Sequence, residues 1–463
     1  MSMGTLAGAA RQLEGRLVGD DRPYDAVATD TRVLGRDALF VALKGPSFDG
    51  HAFVAEAARR GAAGAVVGRL QRSALAQIEV ADTRAALGHL AHAWRMQFDI
   101  PLVAVTGSNG KTTVKEMLAS ILRRSGPALA TRGNLNNDIG VPLTLLELRP
   151  SHRAAVVEMG ASHGGEIAYL TRVAAPRVGV VTNAGAAHLE GFGSQDDVAR
   201  AKGELFAGLP PGAAAVINAD DAYFETWKRT AGKRPITTFG LGHEADVHAD
   251  AIEQTLAPGG ARLAFDLYLP EATCRVELSL AGRHNVMNAL AAAAAARAVG
   301  AETADIAAGL AAARQVPGRL QLRPGQGGAC ILDDTYNANP GSLSAALEYL
   351  TGLEGRAWVV LGDMRELGVE AAARHAEMGT LAAQLGVERL YGVGPLSRHA
   401  VETFGAGGAW FSTVDALNER LKAELGPGVN LLVKASRGMR LERVIAAVAA
   451  DAAAGEPAAQ EHR

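Results

Sequence analysis

Thr106-Gly107-Ser108-Asn109-Gly110-Lys111-Thr112-Thr113 constrains this chain more than any other stretch. It follows Leu102-Val103-Ala104-Val105, apolar enough for a buried strand. It precedes a run in which Val114, Met117, Leu118, Ile121 and Leu122 fall at helical spacing. A strand that turns through glycines into a helix aims backbone N–H groups and the positive end of the helix dipole at one point, which suits phosphate. Lys111 adds a point charge for β- and γ-phosphates, and the Thr112 hydroxyl is in phase to reach Mg²⁺. Gly107, Ser108, Asn109, Gly110, Lys111, Thr112 and Thr113 are therefore candidate ATP-binding residues. Val105 stands where the longer phosphate-loop pattern has its first glycine, so the loop is a shortened GxxGK[ST] form.

The rest of the chain must carry a sheet for that loop. Buried strands are predicted at 154–158, 178–182 and 214–218, with helical patterns between the first ones, which argues a parallel sheet covered on both faces. Upstream, a strand at 38–43, a helix at 52–60 and a strand at 65–67 give a β-loop-α-β rhythm. The alanine-rich segment 287–313 reads as one long helix with a break near Gly300. Beyond Val316-Pro317-Gly318, strands at 331–335, 358–361, 389–393, 409–411 and 431–434 alternate mostly with helices, a second doubly wound pattern. The expected fold class is α/β with three domains. Residues 1–99 form a small N-terminal α/β domain and 100–314 a central phosphate-loop domain. Residues 315–463 form a C-terminal Rossmann-like domain whose tail after Ala450 is frayed.

Composition removes several classes. With 46 Lys and Arg against 49 Asp and Glu, the net charge of −3 argues against a nucleic-acid binder. Two cysteines, Cys274 and Cys330, argue against a disulfide framework or a cysteine zinc site, and favour a reducing compartment. The first residues lack the pattern of a signal peptide, and no run of about 20 apolar residues spans a membrane. A cytoplasmic protein, with no membrane insertion and monomeric, is the expectation.

Two further groups follow from position. Glu158 ends a predicted parallel strand, so its carboxylate belongs at the carboxyl edge, where α/β sites lie. His188 lies in the loop after the next strand. Each alone is equally a strand-end carboxylate or a loop histidine; only the phosphate loop together with a family pattern makes both candidate Mg²⁺ ligands.

TGSNGKTT resembles the ATP loop of the Mur ligases, ATP-dependent amide-forming enzymes of peptidoglycan precursor synthesis. In order along the chain, GNLNNDIGVPLT (133–144), EMGASHGGEI (158–167), NAGAAHLEGFG (183–193), AKGE (201–204), GRHNVMN (282–288), DDTYNANPGS (333–342), VLGDMRELG (360–368) and KASRGMRLE (434–442) extend the resemblance to about residue 447. Together they are most similar to the branch that adds a dipeptide.

The resemblance implies ATP, UDP-N-acetylmuramoyl-tripeptide and D-Ala-D-Ala as substrates, with two Mg²⁺ ions. It implies that Lys202 is a CO₂-derived carbamate holding the second ion; residue chemistry alone would leave Lys202 a surface lysine. Arg319 of PGR would lie near the γ-phosphate and Asp334 near the ribose, with His284, Asn285 and Asn288 on the nucleotide side. Lys111, Lys202, His188 and Arg319 form the implied catalytic set. Asp30, Thr31, Arg32, Asp49 and His51, with Asn134, Asn136 and Asn137, are implied contacts for the UDP-sugar-peptide. Asn337, Asn339, Lys434 and Arg437 are candidates for the dipeptide; the basic loop Lys434-Ser436-Arg437 could equally approach phosphate.

The implied chemistry is formation of an acyl phosphate, then attack by the dipeptide amine, with closure of the domains about the breaks near Pro101 and Pro317. Amino-acid-adding Mur ligases and folylpolyglutamate synthase share the loop. YNANP, where the amino-acid-adding relative carries a DNPR-like signature, favours the dipeptide, and the N-terminal block disfavours the folate enzyme. A nucleotide-dependent switch or ATPase would need neither the AKGE lysine nor a third domain.

Overall fold

The structure, a computed structural model, describes residues 2–450 except Ala187, 258 and 259. The central sheet has six strands, all parallel, in the order Ile236–Phe239, Ala214–Asn218, Val178–Val181, Leu102–Thr106, Ala154–Glu158, Ala128–Ala130. Alternation along each strand feeds two cores. Leu102, Ala104, Ala155, Val157, Ala215 and Ile217 face one layer of helices. Val103, Val105, Val156, Val178, Val180 and Val216 face the other. Burial on both faces is why these strands read as continuous apolar runs. The phosphate loop leaves the carboxyl end of a middle strand, and Glu158 ends its neighbour.

The alanine-rich segment forms two helices, His284–Ala298 and Thr303–Ala311, with Gly300 at φ 86° between them. Ala289 and Ala291 to Ala296 are buried against the sheet and the helix Lys111–Leu122. Small side chains allow that close packing.

Among the elements the sequence does not announce is an antiparallel meander of His248–Ala257, Gly260–Leu269 and Ala272–Leu278. Leu263, Phe265, Leu267 and Leu269 project from its middle strand into the second core at a period of two, while Asp266 faces outward.

The N-terminal sheet runs Arg16–Val18, Gln77–Glu79, Gly64–Val67, Ala38–Val41, Ala26–Ala28, with only the first strand antiparallel to its neighbour. The helical pattern expected from 52 begins as a 3-10 turn, Gly50–Phe53, and continues as Val54–Arg59. The helix Thr83–Arg95 ties this unit to the central one: Leu87, Leu90 and Trp94 lie in a core shared with the central sheet, and Trp94 Nε1 donates to Leu148 O at 3.1 Å.

The C-terminal sheet runs Gln321–Pro324, Cys330–Asp334, Val429–Lys434, Arg356–Gly362, Arg389–Val393, Gly408–Phe411. Its first pair is antiparallel and the rest parallel. Helices pack on both faces. The tail expected to fray, 451–463, lies outside the described residues. Among the described residues no helix is long and apolar enough to cross a membrane.

Candidate active site

The phosphate loop is held from three sides. Gly107 and Gly110 have φ of 144° and 81°. A Cβ on Gly107 would stand 2.0 Å from Thr182 Oγ1, and one on Gly110 2.2 Å from Asn288 Oδ1, so glycine is required twice over. Ser108 N–H donates to Asn183 O at 3.0 Å, Asn109 N–H to Asn183 Oδ1 at 2.9 Å, and Thr182 Oγ1 to Asn109 O at 2.6 Å. Asn183 opens the NAGAAHLEG motif, and its clamping role was not singled out from sequence. Lys111 Nζ curls back to Gly107 O at 2.7 Å and Ser108 O at 3.1 Å. Desolvation pulls its pKa below the ordinary lysine value; Glu158 opposes this and Arg319 adds to it.

Glu158 is buried. Its Oε1 accepts from Asn136 Nδ2 at 2.7 Å, and its Oε2 is buried without a partner. An orphaned carboxylate oxygen is costly unless a cation or donor meets it. Such an oxygen beside a phosphate loop fits a hard divalent cation. His188 sits at φ 56°, and its Nδ1, buried without a hydrogen-bond partner, lies against the Glu366 carboxylate of the C-terminal unit. That contact holds the Glu366 carboxyl below the usual range.

Lys202, on the helix Gln195–Gly208, is 1% exposed rather than on the surface. Its Nζ lies 3.5 Å from Ala161 O and 5.3 Å above the Phe192 ring. Burial, then the nearby Lys111 charge, brings its pKa down to about 7.

The C-terminal unit reaches the loop directly. Arg319 Nη2 donates to Thr112 Oγ1 at 3.0 Å, and its guanidinium stacks on Tyr336 at 4.3 Å. Arg437 lies 5.7 Å from the same ring. Asn339 caps the helix Pro340–Thr351 and donates through Nδ2 to Asn109 Oδ1 at 2.8 Å, so its side chain bridges units. Lys434 is buried and committed to the Asp334 carboxylate and to Asn337 O. Asp334 also accepts from Leu320 N–H at 3.1 Å.

These groups open on one cavity of about 1530 Å³. Ser108 to Lys111, Thr113, Asn134, Asn136, Asn137, Glu158 and His188 line it from the central unit. His284, Asn285, Asn288, Arg319, Asp334, Asn337, Asn339, Lys434 and Arg437 complete the wall from the residues expected there. Asn285 Nδ2 donates to Ala281 O at 2.6 Å and Asn288 Nδ2 to Asn285 Oδ1 at 2.9 Å, so both are held in place. Asn137 Oδ1 accepts from Gly140 N–H at 2.9 Å, which ties it to the start of the helix Gly140–Leu146. Asp82 and Arg84, from the start of the N-terminal unit's last helix, line the far side, as do Tyr336, Arg365 and Glu366; none was singled out from sequence.

Asp30, Thr31, Arg32, Asp49 and His51 are not brought to this cavity. Asp30 caps the 3-10 turn Thr31–Val33 and pairs with Arg32, while Thr31 is buried. Asp49 caps the next such turn and holds His51 Nδ1 at 2.6 Å, while His51 Nε2 accepts from Gly68 N–H at 2.8 Å. With both ring nitrogens used inside the fold, His51 pins a turn.

A phosphate loop, an orphaned carboxylate beside it and an arginine reaching in from a third α/β unit define a nucleotide-dependent transferase or ligase site. Residues 105–296 match the family model for the Mur ligase middle domain, and residues 318–437 the model for the Mur ligase, glutamate ligase domain. The chain belongs to the Mur ligase family and is an ATP-dependent ligase. It is 45% identical over 450 residues to the UDP-N-acetylmuramoyl-tripeptide–D-alanyl-D-alanine ligase of Escherichia coli, covering 96% of this chain and 98% of the relative. A crystal structure of MurF from Acinetobacter baumannii superposes with a TM-score of 0.90 at 37% identity, covering 96% and 98% of the two chains. MurF ligase from Thermotoga maritima, solved in complex with ADP, superposes at 0.81 with 30% identity, covering 91% and 96%.

Proposed function

We propose that this chain joins UDP-N-acetylmuramoyl-tripeptide to D-alanyl-D-alanine, converting ATP to ADP and phosphate. The observation that carries this is the reach of Arg319, a cavity-lining residue of one unit, to Thr112 in the phosphate loop of another. That cavity, about 1530 Å³, exceeds the roughly 300–1,000 Å³ of an ordinary small-ligand pocket and has room for a nucleotide beside a second substrate. A bare ATPase needs neither.

In the first step the tripeptide's terminal carboxylate attacks the γ-phosphorus and the bond to ADP breaks. Lys111, the backbone N–H groups of residues 110 to 113 and Arg319 would take up the charge that spreads over the phosphoryl oxygens. The dipeptide amine then attacks the acyl carbon, and phosphate leaves with one carboxylate oxygen. Units closing on the cavity keep water from the acyl phosphate. Tyr336, flanked by Arg319 and Arg437, and Asn337 line the cavity, and we assign that wall to the incoming dipeptide.

Glu158 Oε2, His188 and Thr112 are the residues that would hold Mg²⁺. When bound, Mg²⁺ supplies neutralisation of the β- and γ-phosphate oxygens. Lys202 fits the carbamate proposal. An amine titrating near pH 7 is half uncharged there, and only the uncharged amine adds CO₂, forming an N–C bond and releasing one proton. Enrichment with ¹³C-bicarbonate followed by carbon NMR should give one carbamate signal that Lys202→Met removes. Asn134 and the Asp82–Arg84 rim line the path of the sugar-peptide, and cytoplasmic action as a monomer belongs to the same proposal.

The test is phosphate release with each of ATP, the tripeptide nucleotide and D-Ala-D-Ala omitted in turn. Dependence on all three, with product heavier by one dipeptide residue, supports the assignment. Release driven by a single amino acid or a folate removes the dipeptide assignment, and release with ATP alone removes the ligase step.

A further inference from the structure

A second cluster of ligand-type side chains lies at the start of the meander, and none of its members lines the cavity. Val247 and Ala249, on either side of His248, are buried in the second core, so alternation along the strand His248–Ala257 places His248 and Asp250 together on its other face. His248 stacks on Tyr268, its cross-strand partner, with ring centroids 4.8 Å apart and planes 4° from parallel. Its Nδ1 donates to Ala245 O at 3.0 Å, leaving Nε2 free. The N–H of the same Ala245 donates to Gly242 O at 3.1 Å and closes a turn that carries His243. That turn is anchored on both sides: Leu241 N–H donates to Asp220 Oδ2 at 2.6 Å, and Asp246 Oδ2 accepts from the Thr238 N–H and hydroxyl at 2.8 Å. His243 is thereby held edge-on to the His248 ring at 5.3 Å, with its Nδ1 3.5 Å from Asp250 Oδ2.

His243, His248 and Asp250 each offer one ligand atom, and the three atoms lie within 4.8 Å of one another. Two imidazoles and a carboxylate are the donor set of a zinc-class ion, whereas Mg²⁺ takes oxygen. Ligands about 2.1 Å from a tetrahedral ion stand about 3.4 Å apart, so a small rotation of the exposed His243 closes the set. A backbone carbonyl on the second ring nitrogen, as at His248, is the usual support of a metal-bound histidine. We propose that these three residues bind one zinc-class divalent ion, with water in the fourth position, and that the ion pins the loop 240–247 to the meander.

The probe is Co²⁺, titrated into the full-length protein with ADP and a large excess of Mg²⁺ to keep the nucleotide site filled. Binding is read from the visible absorption bands that a four-coordinate shell gives. Wild type is compared with His243→Ala, His248→Ala, Asp250→Asn and, as a control, His399→Ala, a solvent-accessible histidine of the C-terminal unit. The expected result is one equivalent of Co²⁺ bound by wild type and by the control, displaced by Zn²⁺. Each of the other three variants should lose at least about 100-fold in affinity. Under the same conditions, Zn²⁺ at about 100 times its Kd should raise the melting temperature of wild type by at least about 3 °C and leave that of His243→Ala unchanged. His243 is exposed, so its truncation spares the fold and keeps the comparison open even where His248→Ala loosens the meander. Absence of Co²⁺ bands from wild type overturns the inference. Bands of wild-type strength in His243→Ala, or an equal Zn²⁺ stabilisation of wild type and His243→Ala, overturn it too, because the ion then sits elsewhere.

Discussion

Glu158 has one oxygen satisfied by Asn136 and one buried with no partner, a state that destabilises the cation-free protein. Glu158→Gln removes that charge at nearly constant shape. Denaturant unfolding of the metal-free variant should show stability equal to wild type or higher by about 1 kcal/mol, while turnover falls at least about 100-fold. Lys202 behaves as its counterpart of opposite sign. Its pKa is about 7 in the folded chain against 10.5 in an open one, so between those values the unfolded chain binds more protons. The penalty for burying the ammonium is full below pH 7 and disappears as pH rises toward 10.5. Urea midpoints in CO₂-free buffer should therefore climb with pH across that window, and Lys202→Met should flatten the climb. Position in the sequence pointed to Glu158, because a strand's last residue has a predictable place. Lys202 was not legible as buried: Ala161 and Phe192, which lie against its amine, belong to other elements of the chain.

The strand–loop–helix that opens the central unit was legible because each part carries a local signal: apolar run, glycines, helical spacing. Gly110→Ala should lower stability by at least about 1–2 kcal/mol from the left-handed backbone alone. It should also weaken ATP, since the new methyl collides with Asn288 in the wall of the site; calorimetric titration with ATP checks the second effect. The meander 248–278 was missed although Leu263, Phe265, Leu267 and Leu269 alternate with Ala264, Asp266 and Tyr268. Its period-two signal falls between polar strands that carry little apolar pattern. Phe265 fills the core beside the alanine-rich helix, and Phe265→Ala should cost about 3–5 kcal/mol, measurable as a lower urea midpoint at unchanged slope. The two N-terminal aspartate turns show a different limit of local sequence. Asp30-Thr31-Arg32 and Asp49-Gly50-His51 combine residue types suited to diphosphate, and the same residues cap 3-10 turns. Local sequence cannot separate those uses; the partner of His51, the Gly68 N–H, is a tertiary fact.

Across the whole molecule, three sheets deliver their carboxyl edges and loops to one cavity, and the C-terminal unit touches the phosphate loop through Arg319 and Asn339. Arg319→Ala should lower kcat by about 10²- to 10³-fold with little change in the KM for ATP, because the guanidinium acts on charge that develops during transfer. An equal rise in KM with kcat unchanged would make it a ground-state contact instead. The central claim is that these parts together make an acyl phosphate. It is tested most directly by labelling the tripeptide's terminal carboxylate with ¹⁸O and weighing the phosphate released in a single turnover with ATP and D-Ala-D-Ala. The account predicts one ¹⁸O in each phosphate, carried across when the acyl–oxygen bond breaks. Phosphate free of label would contradict it, since the carboxylate would then never have been joined to phosphorus.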